Sequence, residues 1–492
     1  MKLYKIIENL EIIDILGDAD INISNIHYDS RKVNSDSLFV CIKGFNNDSH
    51  KFIDSVYKKG TKAFLIDEYI NDEYINLSKT ENITFIRVKN TRECMGIVAS
   101  NFYENPTNKL FVVGVTGTNG KTSITTFLKQ ILSEVSKVGI IGTINIDDGK
   151  DEIVSSNTTP EAIDLQRYFN NMIKNDCKYC AMEVSSHSLA LNRVNNINFR
   201  IGIFTNLTPD HLDFHKDLDD YRDAKELLFY KTSMANIINV DDKGGQVILE
   251  HIKDLSTPCY TYSIEQESDF MAKDVCLEQN GVSYMVATPS GTENIYVPIP
   301  GKFTVYNTLA VIGACHLLNI PMNVVKEALR NINGVAGRFE NIKNSKGITV
   351  IVDYAHTPDA LENVLTTAKE FSKGKIITVF GCGGDRDKSK RPAMGSIAQK
   401  YSDLSIVTSD NPRHEDPSII IEDILKGIDS DVTNYLVIED RKDAINKAIE
   451  EANENDIVII AGKGHEDYQI IGDTKHHFDD KEIAKKAIEN KI

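Results

Sequence analysis

The tightest constraint on this chain is nine residues, Gly114-Val115-Thr116-Gly117-Thr118-Asn119-Gly120-Lys121-Thr122, set directly behind the apolar run Leu110-Phe111-Val112-Val113. An apolar run that opens into a glycine-rich turn, then a lysine and a hydroxyl, reads as strand, phosphate-binding loop and helix. Glycines let backbone N–H groups curl around phosphate oxygens. Lys121 can reach β and γ phosphates, and Thr122, at the start of the helix, offers a hydroxyl to Mg²⁺. The general pattern asks for glycine five residues before Gly120, yet Val115 stands there and Gly114 lies one place earlier. The loop is therefore the variant G-x-x-G-T-x-G-K-T, and a nucleotide is the expected ligand.

A chain of 492 residues has length for about three domains. Residues 1–105 mix short strands and helices and end at the turn-rich Glu104-Asn105-Pro106-Thr107. From 106 to 334, apolar runs alternate with helical patterns, at 139–141, 180–184, 201–204 and 237–240, which predicts a mostly parallel sheet flanked by helices. The stretch 259–300 shows short polar–apolar alternation and predicts a small antiparallel β insertion, followed by a helical pair over about 304–332. Residues 335–492 carry a second βα series, with strands expected at 348–352, 376–380, 404–408, 435–438 and 457–460. The fold class is α/β, the last domain being a Rossmann-like doubly wound sheet. In such sheets ligands sit outside the carboxyl ends of the strands. Polar motifs follow four of these runs, beginning at Asp353, Gly381, Asp410 and Gly462, and imply one shared cleft.

A net charge of −17 argues against nucleic acid or an anionic membrane surface as partner. No apolar window reaches the length of a membrane span, and the eight cysteines form no disulfide-like frame. A soluble, cytoplasmic protein without membrane insertion, acting as a monomer, is the expectation.

In the central region, Met182-Glu183-Val184-Ser185-Ser186-His187 ends one strand and Thr205-Asn206-Leu207-Thr208-Pro209-Asp210-His211-Leu212-Asp213-Phe214-His215 ends the next. A hard cation beside ATP prefers oxygen ligands, so Glu183 and Thr122 are natural Mg²⁺ contacts, with His211 a less typical third. Asp213 and His215 read as supporting residues. Lys225 falls in an amphipathic helical stretch, where a lysine is ordinarily solvated surface.

Taken together, the phosphate loop, Asn157-Thr158-Thr159-Pro160, the 182–187 segment with Arg193, the 205–215 segment and Ala224-Lys225 resemble the Mur ligases of peptidoglycan synthesis. DYAHTPD at 353–359, GCGGDRDKSKRP at 381–392, DNPRHEDP at 410–417 and GKGHEDYQ at 462–469 resemble the branch that adds the third stem-peptide residue. The similarity runs through nearly the whole chain. It implies an ATP-dependent amide ligase that joins meso-2,6-diaminopimelate to the D-glutamate of UDP-N-acetylmuramoyl-L-alanyl-D-glutamate through an acyl phosphate, with Mg²⁺ as cofactor. It also implies that residues 1–105 hold the uridine diphosphate end, with Ser30 the direct contact and Gly44, Asp48 and His50 beside it. Asn157, Thr158, Thr159, Ser185 and Arg193 would grip the muramoyl dipeptide. Thr116 to Thr122, Asn307 and Arg338 would hold ATP, with Asp353 and His356 nearby. Lys121, Glu183, His211 and Lys225 would form the catalytic set, Lys225 as a carbamylated N6-carboxylysine.

Arg386, Asp410, Asn411, Pro412, Arg413, Gly462 and Glu466 would bind the amino acid. A diamino acid with a second carboxylate needs a cationic fork at its far end, which Arg413 supplies. L-Lysine lacks that carboxylate and would meet Arg413 with like charge. Ligation of L-lysine is one alternative; the other is a phosphate-loop ATPase switch that hydrolyses ATP without an acceptor.

Overall fold

Runs of β-branched and aromatic residues bounded by turn residues become strands along the whole chain, in a computed structural model that describes residues 1–44, 47–155, 157–212 and 214–491. The chain divides into two units, Met1–Met271 with Asn307–Val325, and Ala272–Tyr306 with Lys326–Ile492.

The first unit holds two sheets. In one, β1 (Ile12–Leu16), β2 (Asn25–His27), β3 (Ser37–Val40), β4 (Ala63–Ile66) and β5 (Thr84–Val88) lie in the order β1-β5-β4-β3-β2. Only β1 runs antiparallel to its neighbour. Every residue of β3 and β4 is buried, as expected of parallel strands covered on both faces. The helix Thr91–Phe102 packs Met95, Val98 and Ala99 into the same core as Ala162 and Ile163. Its Gly96 lies so close to residue 195 that a Cβ would overlap the Asn195 carbonyl. The turn expected near 105 is present, with Glu104 and Asn105 both at positive φ, and it sits inside this unit.

The larger sheet of the first unit comprises β6 (Phe111–Thr116), β7 (Val138–Ile141), β8 (Asn145–Asp147), β9 (Glu152–Val154), β10 (Tyr179–Glu183), β11 (Phe199–Phe204), β12 (Thr232–Asn239) and β13 (Cys259–Ser263), ordered β13-β12-β11-β6-β10-β7-β8-β9. It is parallel from β13 to β7. β6 therefore lies centrally, between β10 and β11, and delivers the phosphate loop among their carboxyl ends. The helix after the loop, Lys121–Ser133, buries Ile124, Phe127, Leu128, Ile131 and Leu132, the spacing of a single helical face. β13 pairs in parallel with β12, so it belongs to this sheet rather than to an antiparallel insertion. β14 (Phe270–Glu278) also starts in parallel, against β13 at Tyr262↔Phe270 and Ser263↔Met271, and the antiparallel part is the hairpin of β15 (Gly281–Thr288) and β16 (Gly291–Val297), paired from Val282↔Val297 to Thr288↔Gly291. The helices Lys302–Leu317 and Met322–Arg330 follow.

The second unit carries β17 (Glu340–Asn341), β18 (Thr349–Asp353), β19 (Ile376–Phe380), β20 (Leu404–Val407), β21 (Tyr435–Val437) and β22 (Ile457–Ala461), ordered β17-β18-β22-β19-β20-β21. All are parallel except the edge strand β17. The five predicted strands each fall within one residue of place. A hairpin of β23 (Tyr468–Ile471) and β24 (Thr474–His477) follows β22 and was not anticipated.

Behind the ends of these strands lies an ion pair with no exposure at either side chain: Arg441 donates through Nε and Nη2 to the two oxygens of Asp480 at 2.8 and 2.7 Å, and Nη2 also reaches the Ala461 carbonyl at 2.9 Å. It ties the helix Arg441–Glu451 to the helix Asp480–Asn490. Removing one partner strands the other charge in the interior. Asp480→Leu is therefore expected to destabilise the second unit by about 3–5 kcal/mol in urea unfolding, whereas an exposed pair such as Lys447–Glu450 should matter by less than about 1 kcal/mol.

Candidate functional site

The phosphate loop is shaped by its glycines. Gly117 has φ of 144°, and a Cβ there would overlap Thr205 Oγ1. Gly120 caps the helix at φ 88°, where a Cβ would stand 2.6 Å from Asn307 Oδ1. The expected loop residues thus gather with Asn307. The end of β11 holds the loop from outside: Thr118 N–H donates to the Asn206 carbonyl at 2.8 Å, Asn119 N–H to Asn206 Oδ1 at 2.9 Å, and Thr205 Oγ1 to the Asn119 carbonyl at 2.6 Å. Thr116 Oγ1 is buried and finds no hydrogen-bond partner among the described residues.

Two lysines converge on this loop. Lys121 Nζ donates to the Gly117 and Thr118 carbonyls, both at 2.8 Å, and Lys225 Nζ donates to the same Gly117 carbonyl at 2.9 Å. Lys225 is 1 % exposed, so the helical pattern misplaces it as surface. It lies in the helix Leu218–Glu226, its nitrogen 4.0 Å from the centre of the Tyr221 ring. Among the described residues no carboxylate forms an ion pair with it. Burial, and then the Lys121 ammonium, hold its amine well below the usual lysine range.

Glu183 ends β10 with 1 % exposure. Its Oε2 accepts from Thr122 Oγ1 at 3.1 Å and Thr143 Oγ1 at 3.0 Å, its Oε1 from Thr143 N–H at 2.9 Å, and its carbonyl from Thr159 Oγ1 at 2.9 Å. Thr143 Oγ1 in turn lies 3.1 Å from Thr158 Oγ1. Ser185 caps the helix Ser186–Ala190, and its N–H donates to Thr159 Oγ1 at 3.1 Å. Arg193 donates to the Thr159 carbonyl at 3.1 Å and pairs with Glu161 at 2.9 Å. Thr122, Thr158, Thr159, Glu183, Ser185 and Arg193 therefore form one connected group.

Other expected residues stand elsewhere. Asn157 is exposed, its carbonyl accepting from Ser155 Oγ. His211 sits half-exposed at φ 54°, its ring 4.8 Å from that of His187 and its imidazole 3.6 Å from Asp210 Oδ2. Asp213 lies outside the described residues. His215 bridges Ser186 Oγ at 3.0 Å and Asp220 at 3.3 Å. Ser30 lies in the turn after β2, its carbonyl taking Lys59 Nζ at 2.7 Å; Asp48 and His50 pair at 2.6 Å.

In the second unit, the four strand-end motifs meet. Gly462 N–H donates to the Asp353 carbonyl at 3.0 Å, and Gly384 N–H to the Asn411 carbonyl at 2.9 Å. Asp353 is 7 % exposed and accepts from Phe339 and Ala355 N–H groups at 2.7 Å each, while burial pushes its carboxyl up. Arg338 lies with its guanidinium 5.1 Å from the centre of the Tyr354 ring, near His356, whose ring is 4.6 Å from that of Tyr354. Arg413 has φ of 51° and donates through Nη1 to the Gly384 carbonyl at 2.8 Å. Asn411 donates to Glu466 at 3.0 Å; Asp410, Asn411 and Pro412 are buried, and Arg386 is exposed. The loop carrying Arg413 is anchored by Arg391, which is wholly buried and pairs with Glu415 and Asp423 at 2.9 and 3.0 Å. The hydrogen bonds from Arg391 hold the Glu415 carboxyl down to about 2.

Sequence reasoning missed Thr143, Glu161, Arg391, Lys463 and the Arg441–Asp480 pair. Thr143 follows the end of β7 at once, so the strand-end rule applied to that run would have found it. Lys463 and Arg391 lie inside the 462–469 and 381–392 motifs, where no role was expected of them. Arg441 and Asp480 lie outside every motif and carry no local signal.

The loop geometry has a direct test. Gly117→Ala adds about 1–3 kcal/mol of backbone strain besides the overlap with Thr205. It is expected to abolish ATP-induced thermal stabilisation while the far-UV circular dichroism stays that of the parent.

Three family models cover most of the chain: "Mur ligase family, catalytic domain" over 22–103, "Mur ligase middle domain" over 115–315 and "Mur ligase, glutamate ligase domain" over 337–464. A protein of Clostridioides difficile (strain 630), named UDP-N-acetylmuramoyl-L-alanyl-D-glutamate–2,6-diaminopimelate ligase, is 60% identical over 489 residues, 99% of each chain. One of the same name from Alkaliphilus metalliredigens is 47% identical over 99% of this chain and 98% of its own. A solved structure, again titled as that ligase, matches 99% of both chains at 30% identity with a TM-score of 0.76. With a phosphate loop, a strand-end carboxylate and a buried lysine joined as the geometry joins them, and with likeness of this extent along its whole length, the chain belongs to the Mur ligase family.

Proposed function

We propose that this chain is an ATP-dependent ligase joining meso-2,6-diaminopimelate to the D-glutamate γ-carboxylate of UDP-N-acetylmuramoyl-L-alanyl-D-glutamate, in the cytoplasmic synthesis of peptidoglycan precursors. The observation that carries this reading is the oppositely charged set at the ends of β20 and β22, where Arg413 accompanies Asp410, Asn411 and Glu466. A free amino acid with a distal carboxylate presents both signs of charge, and this set offers both. The names borne by the relatives support it.

We assign residues 1–105 to the uridine diphosphate end through Ser30, 106–334 to ATP and the dipeptide, and 335–492 to the amino acid. Thr158, Thr159, Ser185 and Arg193 hold the muramoyl dipeptide with its D-glutamate directed to the phosphate loop, Asn157 lining the same approach. Thr116 to Thr122, Asn307 and Arg338 hold ATP. The pair Thr122 Oγ1 and Glu183 Oε2, 3.1 Å apart, is an oxygen donor set that fits Mg²⁺, with His211 as a third candidate. When bound, Mg²⁺ offsets the charge of the phosphates and polarises the γ-phosphoryl group. The unpartnered hydroxyl of Thr116 is a ready donor to the same cluster.

In the reaction, a γ-carboxylate oxygen of D-glutamate attacks the γ-phosphorus of ATP, the bond to the β-phosphate oxygen breaks, and ADP leaves. Lys121 steadies the charge that grows on that oxygen. The neutral amine of diaminopimelate then attacks the acyl phosphate carbon, inorganic phosphate departs, and the amine releases a proton. Much of the rate comes from holding these groups in place. Lys225, its amine held well below the usual lysine range by burial and the Lys121 ammonium, is disposed to add CO₂ when deprotonated: its nitrogen forms the N–C bond and loses a proton, which turns a would-be cation into a carboxylate beside the loop.

The test is phosphate release by purified protein with ATP, Mg²⁺ and the UDP-dipeptide substrate. Turnover is expected only on addition of meso-diaminopimelate; acceptor-independent hydrolysis would instead indicate an ATPase switch. Arg413→Ala is expected to raise the diaminopimelate KM by about 10²-fold or more, the loss of a charged, bidentate contact, and to leave the ATP KM within about twofold. Lys225→Ala is expected to lower kcat by about 10²–10³-fold, and the intact mass of the parent protein should include the added CO₂.

A further inference from the structure

Lys463 has no solvent exposure. It therefore touches no ligand, yet it stands at the centre of the groups proposed to bind the amino acid. Gly462 before it has φ of 118°, and a Cβ there would come within 2.7 Å of Asp410 Oδ2, so the turn after β22 is pressed against the end of β20 and Lys463 is turned inward. Its ammonium donates to the Tyr468 carbonyl at 2.7 Å and to Asn411 Oδ1 at 3.0 Å, and lies 3.4 Å from Asp410 Oδ1 and 3.8 Å from Glu466 Oε2.

We infer that Lys463 is a positioning residue for amino-acid recognition: it fixes the amide orientation of Asn411 and divides the charge of Asp410 and Glu466. The inference rests on the proposed ligase reading. An ammonium only donates, so Asn411 must turn its oxygen toward Lys463, an arrangement reinforced by the Ile470 N–H at 2.9 Å. Asn411 Nδ2 is thereby aimed at Glu466 Oε2, at 3.0 Å, and no described donor is bonded to Glu466 Oε1. Arg441 nearby is engaged bidentately by Asp480. Of the two carboxylates beside the Lys463 ammonium, Asp410 lies nearer, at 3.4 Å, than Glu466, at 3.8 Å. Glu466, the farther of the two and 17% exposed, is the carboxylate suited to the ammonium of an incoming amino acid.

The test uses the full chain carrying Lys463→Met, which keeps length and removes the charge, and Lys463→Gln, which keeps a donor for Asn411. Each is assayed by phosphate release and by calorimetric titration with meso-diaminopimelate. The expected result is a rise of about tenfold or more in the diaminopimelate KM for both variants, larger for Met, with the KM values for ATP and the UDP-dipeptide within about twofold and kcat within about fivefold. Unchanged diaminopimelate KM in a folded variant overturns the inference, as does an equal rise in all three KM values or loss of the fold in both variants, each of which marks a merely structural lysine. If the parent protein itself shows no diaminopimelate-dependent turnover, the ligase reading fails first, and that outcome is distinct.

Discussion

The first unit depends on one buried carboxylate. Glu183 is where three separately coded segments meet: the helix of the phosphate loop through Thr122, the turn after β7 through Thr143, and the 157–160 loop through Thr159. A charged group with 1 % exposure is costly unless its lone pairs are filled, and here the hydroxyls of Thr122 and Thr143 and the Thr143 N–H fill them, while Thr159 bonds the main-chain carbonyl of the same residue. The same contacts make Glu183 a fixed reference point from which the phosphate loop and the 157–160 loop take their positions. Parallel pairing of β10 with β6 supplies the rest, because it brings the two strand ends into register at Glu183 and Val115.

The second unit solves a related problem with more charges. Arg391 with Glu415 and Asp423, Arg441 with Asp480, and Lys463 with Asp410 each place a cation without solvent access beside carboxylates at or behind the strand ends. Such pairs add little net stability, but they define where polar loops can sit, and a recognition loop held this way loses little freedom when a ligand arrives. Arg413 shows the consequence: its backbone is held at positive φ by bonds to Ile470 and Gly472, and its guanidinium by the Gly384 carbonyl.

Much of this was legible in the sequence. The strands of the second unit were placed within a residue because buried parallel strands are uninterrupted apolar runs, and the phosphate loop because its glycines, lysine and hydroxyl fall in fixed register. The hairpin Tyr468–His477 escaped because its strands are short and partly exposed and lack a run of apolar residues. Cys259–Ser263 was assigned to an antiparallel insertion because alternation does not reveal the direction of pairing. Lys225 was the sharpest difference: periodicity assigns a lysine on an amphipathic helix to water, and only the family resemblance marked it. Its burial against Tyr221 and the Gly117 carbonyl depends on contacts far away in sequence, as do those of Arg391, Arg441 and Lys463.

Selection of an amino acid with a distal carboxylate is the role we propose for the second unit, through Arg413. The most direct measurement is a single reaction with ATP, Mg²⁺, the UDP-dipeptide and equal concentrations of meso-diaminopimelate and L-lysine, with the UDP-tripeptide products resolved by mass spectrometry. The diaminopimelate product is expected in excess by about two orders of magnitude or more; comparable amounts of the two products, or a majority of the lysine product, would rule out selection by Arg413.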